Sequence, residues 1–236
     1  MVKRWIVLAG VAVVGMAALW FFFLRSDNPD PVSLSDAVEA ATDPTTVSET
    51  TLLEEAVDAG LDGTWTVLAD DASFAGYRVG EELVGIGVTE AVGRTSAVTG
   101  SLELEGSTLT AVGIEVDMSS LRSDDNRRDG AMRQRALETG AFPTASFRLT
   151  QPIELGSVPT EGVPVNVTAI GDLTLHGTTR PVEIQLEAQL VGERIVVVGS
   201  VDVTYGDFGI DLPSAPVLVG VEDHGQIELQ LTFIRP

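Results

Sequence analysis

The chain lacks cysteine and is short of basic residues. Its 236 residues include no cysteine, and 35 acidic residues outnumber 14 lysines and arginines, for a formal net charge of −21. The absence of cysteine excludes disulfides, thiol nucleophiles and thiolate-bound metals. The acidic balance argues against nucleic acid, because binding to a phosphate backbone requires neutralising cations. We therefore expect no nucleic acid among the partners.

Metal-binding patterns are missing as well. The two histidines, His176 and His224, do not have the spacing of a metal site, and His176 is predicted to be solvated on the polar face of a strand. Residues 124–130 resemble a calcium loop, but Arg127 occupies a ligand position and Ala136 replaces the closing glutamate. These acids are better explained as a helix start, where the dipole favours negative charge. The sequence predicts no metal and no cofactor.

No pattern typical of an enzyme is present. The chain has no G-x-S-x-G elbow, and Asp207-Phe208-Gly209 lacks the glycine-rich loop, catalytic loop and lysine that a kinase requires. We interpret these three residues as a turn at the end of a strand. The less favoured alternative is an enzyme in which Arg128 and Asp129 act on a ligand chain that the protein binds. The sequence therefore predicts no catalytic residue and a protein that is not an enzyme.

A long apolar run lies near the N-terminus. Residues 5–24 contain no charged residue and follow Lys3 and Arg4. At about 1.5 Å per helical residue they span roughly 30 Å, the thickness of the hydrocarbon core of a bilayer. We predict that residues 1–25 are a single-pass membrane anchor, with the C-terminal domain extracytoplasmic. The alternative is a cleaved signal peptide and a secreted protein, but the run is long for that and no small-residue cleavage site follows it directly.

Residues 26–62 are acidic throughout. They contain ten acidic residues and no basic residue, with Pro29, Pro31 and Pro44 among them. Such a segment repels itself and stays extended. We predict an acidic disordered stalk whose ends are about 35 Å apart.

From residue 63 to residue 236 the hydrophobic pattern has a period of two. Val165, Val167 and Ala169 alternate with Asn166 and Thr168, and the same alternation recurs in residues 182–190, 195–203 and 227–233. This pattern is typical of strands with one buried and one wet face. Short turns between the strands favour antiparallel neighbours. An all-β antiparallel sheet follows, and periodicity alone leaves both a closed barrel and a two-layer sandwich open.

Three motifs occur in a fixed order within residues 63–236. They are a helix-like insertion with a following strand in residues 119–147, the run GDLTLHGTTRPV in residues 171–182, and DFGI in residues 207–210. Their order and content resemble the YceI-like family. The resemblance implies an eight-stranded antiparallel, lipocalin-like barrel with one inserted helical segment. It also implies a binding protein that holds a long apolar ligand, such as a polyisoprenoid or quinone-like lipid.

The inserted segment departs from the family pattern at two points. Ala131 stands where a histidine commonly follows Arg128-Asp129, and Leu137-Glu138 replaces an aromatic pair. Both changes fall in the part of the helix that would line or cap the cavity. They bear on the identity of the ligand more than on the fold.

The predicted ligand site consists of apolar and aromatic side chains from the strands and the insertion, which offer large and adaptable contact area. These residues are Phe74, Tyr77, Ile114, Val116, Met118, Met132, Leu137, Phe142, Phe147, Leu149, Leu173, Leu175, Leu229 and Leu231. Burying about 400 Å² of ligand there would contribute roughly 10 kcal/mol before association costs. The alternative is an interaction module with a closed barrel whose acidic face docks a partner protein.

The insertion also carries the densest basic patch of the domain: Arg122, Arg127, Arg128, Arg133 and Arg135. The favoured interpretation is a solvated helix face paired with nearby acids. The alternative is that the patch steers an anionic ligand head to the barrel mouth. The sequence does not indicate the oligomeric state.

Overall fold

The computed structural model describes residues 28–42, 60–212 and 218–236. Thirteen strands share one sheet, and their bounds are β1 Gly63–Val67, β2 Phe74–Leu83, β3 Gly87–Thr95, β4 Val98–Glu105, β5 Thr108–Asp117, β6 Arg122–Ser123, β7 Thr144–Leu149, β8 Ile153–Glu154, β9 Val165–Leu175, β10 Thr178–Val191, β11 Arg194–Thr204, β12 Leu218–Val221 and β13 His224–Ile234. Helix α1 spans Leu34–Thr42 and α2 spans Asn126–Ala131, continued by a π-helical turn at Met132–Ala136. Single 3₁₀ turns occupy Met118–Ser120 and Tyr205–Phe208.

Eight strands close into an antiparallel barrel. Their order around the ring is β1, β4, β5, β7, β9, β10, β11 and β13, and β13 pairs back to β1 at Val67↔Phe233. The predicted eight-stranded antiparallel barrel with one inserted helical segment is confirmed. Closure removes the sheet edges, so every strand of the ring has two partners.

Two positions in the barrel wall are each occupied by two consecutive strands, β1 with β2 and β4 with β3. Strands β1 and β2 follow one another along the same edge of β13, since Val67 pairs with Phe233 and Phe74 with Gln230. Strands β3 and β4 also follow one another along a single line, because β3 pairs with β2 and β4 pairs with β1. The β2–β3 hairpin, closed by the turn at residues 84–86, therefore projects at one end of the barrel. Strand β12 pairs with the end of β2 beside this hairpin.

The strands obey the predicted alternation on their inner faces. In β9, Ala169, Leu173 and Leu175 are buried inside while Asp172 is exposed. The turn to β10 consists of His176 and Gly177, whose φ angles of 50° and 70° both lie in the left-handed region. A two-residue turn with this geometry matches the twist of the flanking strands.

The outer face of β11 is not wet, contrary to the sequence pattern. Val196 and Val198 are fully buried there because α1 covers them. Helix α1 places Leu34, Ala37 and Ala41 on one stripe, at the spacing of an amphipathic helix. Residues 28–42 thus lie against the barrel and differ from the predicted extended stalk, because these alanines and Leu34 match an apolar outer strand face. Residues 43–59 of the predicted stalk lie outside the described residues.

Within the described ranges no helix is long and apolar enough to cross a bilayer. The predicted anchor, residues 1–25, lies outside these ranges.

Candidate ligand-binding site

A cavity of about 700 Å³ occupies the barrel interior at the end that carries the β2–β3 hairpin and α2. Its walls are the inward side chains of β2, β5, β7, β9, β11 and β13, with α2 and the π-helical turn across the opening. The volume lies within the roughly 300–1,000 Å³ of typical small-molecule sites, and most lining side chains are apolar. A chain of carbon atoms fits such a surface without needing any hydrogen bond.

All but three of the predicted site residues line this cavity. Those that do are Tyr77, Ile114, Val116, Met118, Met132, Leu137, Phe147, Leu173, Leu175, Leu229 and Leu231. They come from five strands, the 3₁₀ turn that follows β5 and the insertion, and barrel closure brings them together. That these side chains contact a ligand stays a prediction.

The remaining three residues lie elsewhere. Phe74 faces outward, where the Arg94 guanidinium stacks 4.3 Å above its ring, because β2 turns its odd-numbered residues inward. Phe142 lies outside the barrel wall, with its ring 4.3 Å from that of His176 in an edge-to-face arrangement. Leu149 packs beside the buried Ile153 and lines neither cavity of the barrel.

A second cavity of about 110 Å³ lies at the opposite end of the barrel, lined by apolar side chains. Five residues line both cavities and therefore form the partition between them: Ile114, Phe147, Ile184, Leu229 and Leu231. Phe147 is the aromatic member of this partition. Its ring packs against Gly171 on β9, where a Cβ atom would overlap it.

Several lining residues were not predicted. Ile184, Val201, Val203 and Ile227 line the main cavity and belong to the alternating faces of their strands, which is the signal that identifies them. Residues at the mouth carry no such signal. Leu83, Val84, Ile86, Leu212 and Leu218 occupy strand ends and turns, where alternation stops.

The acidic cluster before α2 forms the start of the helix, as predicted. Asp125 caps the helix and accepts a hydrogen bond from the Arg127 amide at 2.7 Å. Asp129 Oδ1 accepts from the Ser123 amide at 2.9 Å and from its hydroxyl at 2.7 Å. Asp125 thereby satisfies an orphan amide at the helix start, and Asp129 holds Ser123 on β6 against the helix. No cluster of three or more potential metal ligands occurs in residues 28–42, 60–212 and 218–236.

The basic patch divides into two kinds of arginine. Arg128 forms an ion pair with Glu81 at 2.7 Å and another with Asp124, so carboxylates of the protein compensate its positive charge. Arg127 and Arg135 line the cavity mouth and form no ion pair with any described residue. Two unpaired guanidinium groups at the mouth are available to a polar or anionic ligand head.

Two tyrosines border the cavity. The Tyr77 ring lies over Gly93 on β3, where a Cβ atom would overlap it. Burial raises the pKa of Tyr77 above its ordinary range, and burial with the nearby Glu222 carboxylate raises the pKa of Tyr205 to about 12. Both phenols are therefore neutral at physiological pH and act as hydrogen-bonding or apolar surface.

His176 is not solvated, contrary to the sequence prediction. Only 10% of its side chain is exposed. Its Nε2 lies 3.1 Å from Glu138 Oε2 and its Nδ1 lies 3.3 Å from the Phe208 carbonyl oxygen. Because His176 belongs to the turn and not to the strand, strand alternation does not determine its direction. It joins the β9–β10 turn to the insertion and lines neither cavity.

The chain is similar in sequence to proteins of bacteria. A UPF0312 protein of Vibrio parahaemolyticus is 30% identical over 143 residues, which cover 56% of this chain and 71% of that protein. A UPF0312 protein of Shewanella denitrificans is 28% identical over 148 residues, covering 58% of this chain and 73% of that protein.

Solved structures share the fold. A polyisoprenoid binding domain from Saccharophagus degradans, implicated in plant cell wall breakdown, aligns with a TM-score of 0.59 at 18% identity and covers 74% of this chain and 99% of that one. A YceI protein of Campylobacter jejuni aligns with a TM-score of 0.51 at 12% identity, covering 61% and 84%. The YceI-like domain profile matches residues 65–233, which is the barrel except for the first two residues of β1 and the last residue of β13. The chain therefore belongs to the YceI-like domain family.

Proposed function

We propose that this protein is a membrane-anchored, extracytoplasmic lipid-binding protein whose barrel holds a polyisoprenoid or similar long apolar chain. The observation that carries the proposal is the apolar cavity of about 700 Å³ inside the barrel. The similarity of this chain to a structure described as a polyisoprenoid binding domain supports this class of ligand.

The chain of the ligand would lie along the barrel axis, between the inward side chains of β5, β9 and β13. Burial of its apolar surface contributes about 25 cal/mol/Å². The head of the ligand would lie at the mouth, where Arg127, Arg135 and Asp125 are the exposed polar lining groups. The protein would thus sequester or transfer the lipid without changing it covalently.

A closed barrel that serves only as an interaction module is the second candidate. Such a module requires an interior filled by its own side chains. The cavity argues against it, since well-packed interiors leave few voids larger than a water molecule.

Ligand-induced stabilisation tests the binding proposal. A ligand that binds only the folded state raises the melting temperature by mass action. We expect long isoprenoid alcohols and quinones to raise the melting temperature of the full-length chain in a concentration-dependent manner. Val201→Trp fills the main cavity from β11 and should abolish the shift. Equal shifts in both proteins, or none in either, would contradict binding inside the barrel.

The proposed location rests on the apolar run of residues 5–24 and on the two basic residues before it. Membrane fractionation with protease treatment of intact spheroplasts tests it. Protease should remove the barrel from the outer side of the membrane. A barrel that is protected, or that is released in soluble form after cleavage of the N-terminal segment, would contradict a single-pass extracytoplasmic protein.

A further inference from the structure

Exposed apolar side chains gather at the mouth of the main cavity. Seven large apolar side chains are exposed among the described residues. Five of them lie on the β2–β3 hairpin, on β12 or shortly before β12: Val84, Ile86, Val88, Leu212 and Val219. We call these five residues the rim. Val84, Ile86 and Leu212 also line the cavity, so the rim is continuous with the ligand site.

The rim is unlike the rest of this acidic surface. Val88 is 84% exposed and Val84 is 62% exposed, although exposure of an apolar side chain to water is unfavourable. A group of exposed apolar side chains beside a cavity is typical of a surface that contacts another apolar phase. Val84 and Ile86 lie in the hairpin turn, and Val88 on β3 and Val219 on β12 lie on either side of the end of β2. These four side chains therefore lie at the same end of the barrel.

The N-terminal chain approaches the barrel from the same end. Asn28 donates a hydrogen bond to the Glu90 carbonyl on β3, and Arg78 and Arg94 donate to the carbonyls of Pro29 and Asp30. Helix α1 then runs to the opposite end, where Arg194 donates to the Ala41 carbonyl at 2.9 Å. Residue 28 therefore lies on the barrel wall between the rim and α1.

Simple chain geometry relates the predicted anchor to the rim. Glu90 is five strand residues from Gly85 at the hairpin turn, a distance of about 16 Å at roughly 3.3 Å per residue. Leu24, the last residue of the apolar run, is four residues before Asn28 and thus within about 14 Å of it. The end of the run can therefore reach the level of the rim.

We propose that the rim docks on the phospholipid bilayer that holds residues 5–24, so that the cavity mouth faces the lipid. This inference rests on the proposed function, in which residues 5–24 are an anchor and the cavity takes up an apolar chain. Insertion of the rim removes its apolar side chains from water. An apolar chain then passes between bilayer and cavity without crossing an aqueous gap. The exposed Glu82 beside the rim and the net charge of −21 favour a zwitterionic lipid surface over an anionic one.

Single introduced cysteines test the docking, because the chain has none of its own. Full-length Ile86→Cys and Val158→Cys are labelled with bimane and reconstituted into phosphatidylcholine vesicles that carry a nitroxide on the acyl chain. Ile86 and Val158 are matched, at 55% and 53% exposed, and Val158 lies by Pro159, which lines the cavity at the other end. We expect at least fivefold stronger quenching at position 86. Equal quenching at the two positions would overturn the proposal.

A second substitution tests whether the contact is apolar. Adding Val88→Asp to labelled Ile86→Cys should lower the quenching severalfold, whereas Val163→Asp, at an exposed position next to Gly162 at the opposite end, should leave it unchanged. Quenching that is insensitive to Val88→Asp would also overturn the proposal.

Vesicle flotation separates this inference from the proposed function. A chain that does not float with the vesicles contradicts the anchor itself. A chain that floats, retains its lipid and shows equal quenching at positions 86 and 158 contradicts only the docking of the rim.

Discussion

Phe147 on β7 packs over Gly171 on β9, and its ring lies in the partition between the two cavities of the barrel. The main cavity of about 700 Å³ ends at this ring, and the space of about 110 Å³ lies beyond it. The absence of a side chain at Gly171 leaves room for the ring in this position. Phe147 is thus placed to limit the length of chain that the cavity accepts.

Phe147→Ala should join the two cavities and shift the preference toward longer isoprenoid chains. The measurement is the affinity for a series of isoprenoid alcohols of increasing length. Phe142→Ala is the matched control, because Phe142 lines neither cavity. Loss of a fully buried phenylalanine costs about 3–5 kcal/mol, and both of these rings are partly buried, so folding is checked for both variants by circular dichroism. An unchanged length preference in folded Phe147→Ala would contradict the role of the ring.

The arginines at the mouth should select the ligand head. Replacing Arg127 and Arg135 together by alanine should weaken binding of an isoprenyl diphosphate about fivefold, which corresponds to roughly 1 kcal/mol. Binding of the corresponding alcohol should stay the same. Arg148→Ala, at an exposed position on β7, serves as the charge control. If the two ligands respond equally to loss of Arg127 and Arg135, these groups do not contact the head.

The two tyrosines should make the fold sensitive to alkali. Burial raises the pKa of Tyr77, and it raises the pKa of Tyr205 to about 12, against about 10 in the unfolded chain. The folded state therefore retains these protons when the unfolded state loses them. Their contribution to stability is complete below about pH 10 and is lost as the pH rises toward 12.

Phenolate absorbance measures this directly, since the chain has 2 tyrosines and both are partly buried. Phenolate should appear together with loss of the circular dichroism of the barrel. Tyr205→Phe should reduce the alkaline loss of stability. Complete ionisation near pH 10 in a barrel with native circular dichroism would contradict the burial of these groups.

Glu228 on the outer face should contribute strongly to stability. It is fully buried between Arg78 and Arg94, each 2.7 Å away. Glu228→Gln leaves these guanidinium charges without their central partner, and breaking such a pair costs about 3–5 kcal/mol. Urea unfolding should show this loss, whereas Glu187→Gln, on the exposed face of β10, should change stability by less than about 0.5 kcal/mol. Similar values for both variants would show that the network is weak.

The sequence predicted the barrel interior well because one simple rule governs it. Strand residues alternate between inside and outside, so apolar residues such as Leu173 and Leu175 are recognisable as inward. The closure into a barrel did not follow from alternation, which a sandwich shares. It depended on the resemblance to the YceI-like family.

Features outside regular strands were not predictable in this way. Phe74 faces outward because it is the first residue of β2 and even-numbered, whereas the odd-numbered residues of β2 face inward. Phe142 belongs to a loop and His176 to a turn. Helix α1 was missed because its local sequence is acidic and its stabilising partner, the outer face of β11, is far away in the chain. The apolar mouth was missed because Val84 and Ile86 occupy a turn, where exposed apolar residues have no periodic signal.

The most direct test of lipid binding is native mass spectrometry of the full-length chain purified from bacterial membranes, followed by organic extraction and identification of the bound molecule. Wild-type protein should carry one polyisoprenoid or quinone-like lipid per barrel, and folded Val201→Trp should have the bare mass. Wild-type protein with the bare mass, or with no more lipid than Val201→Trp, would contradict a barrel that holds an apolar chain.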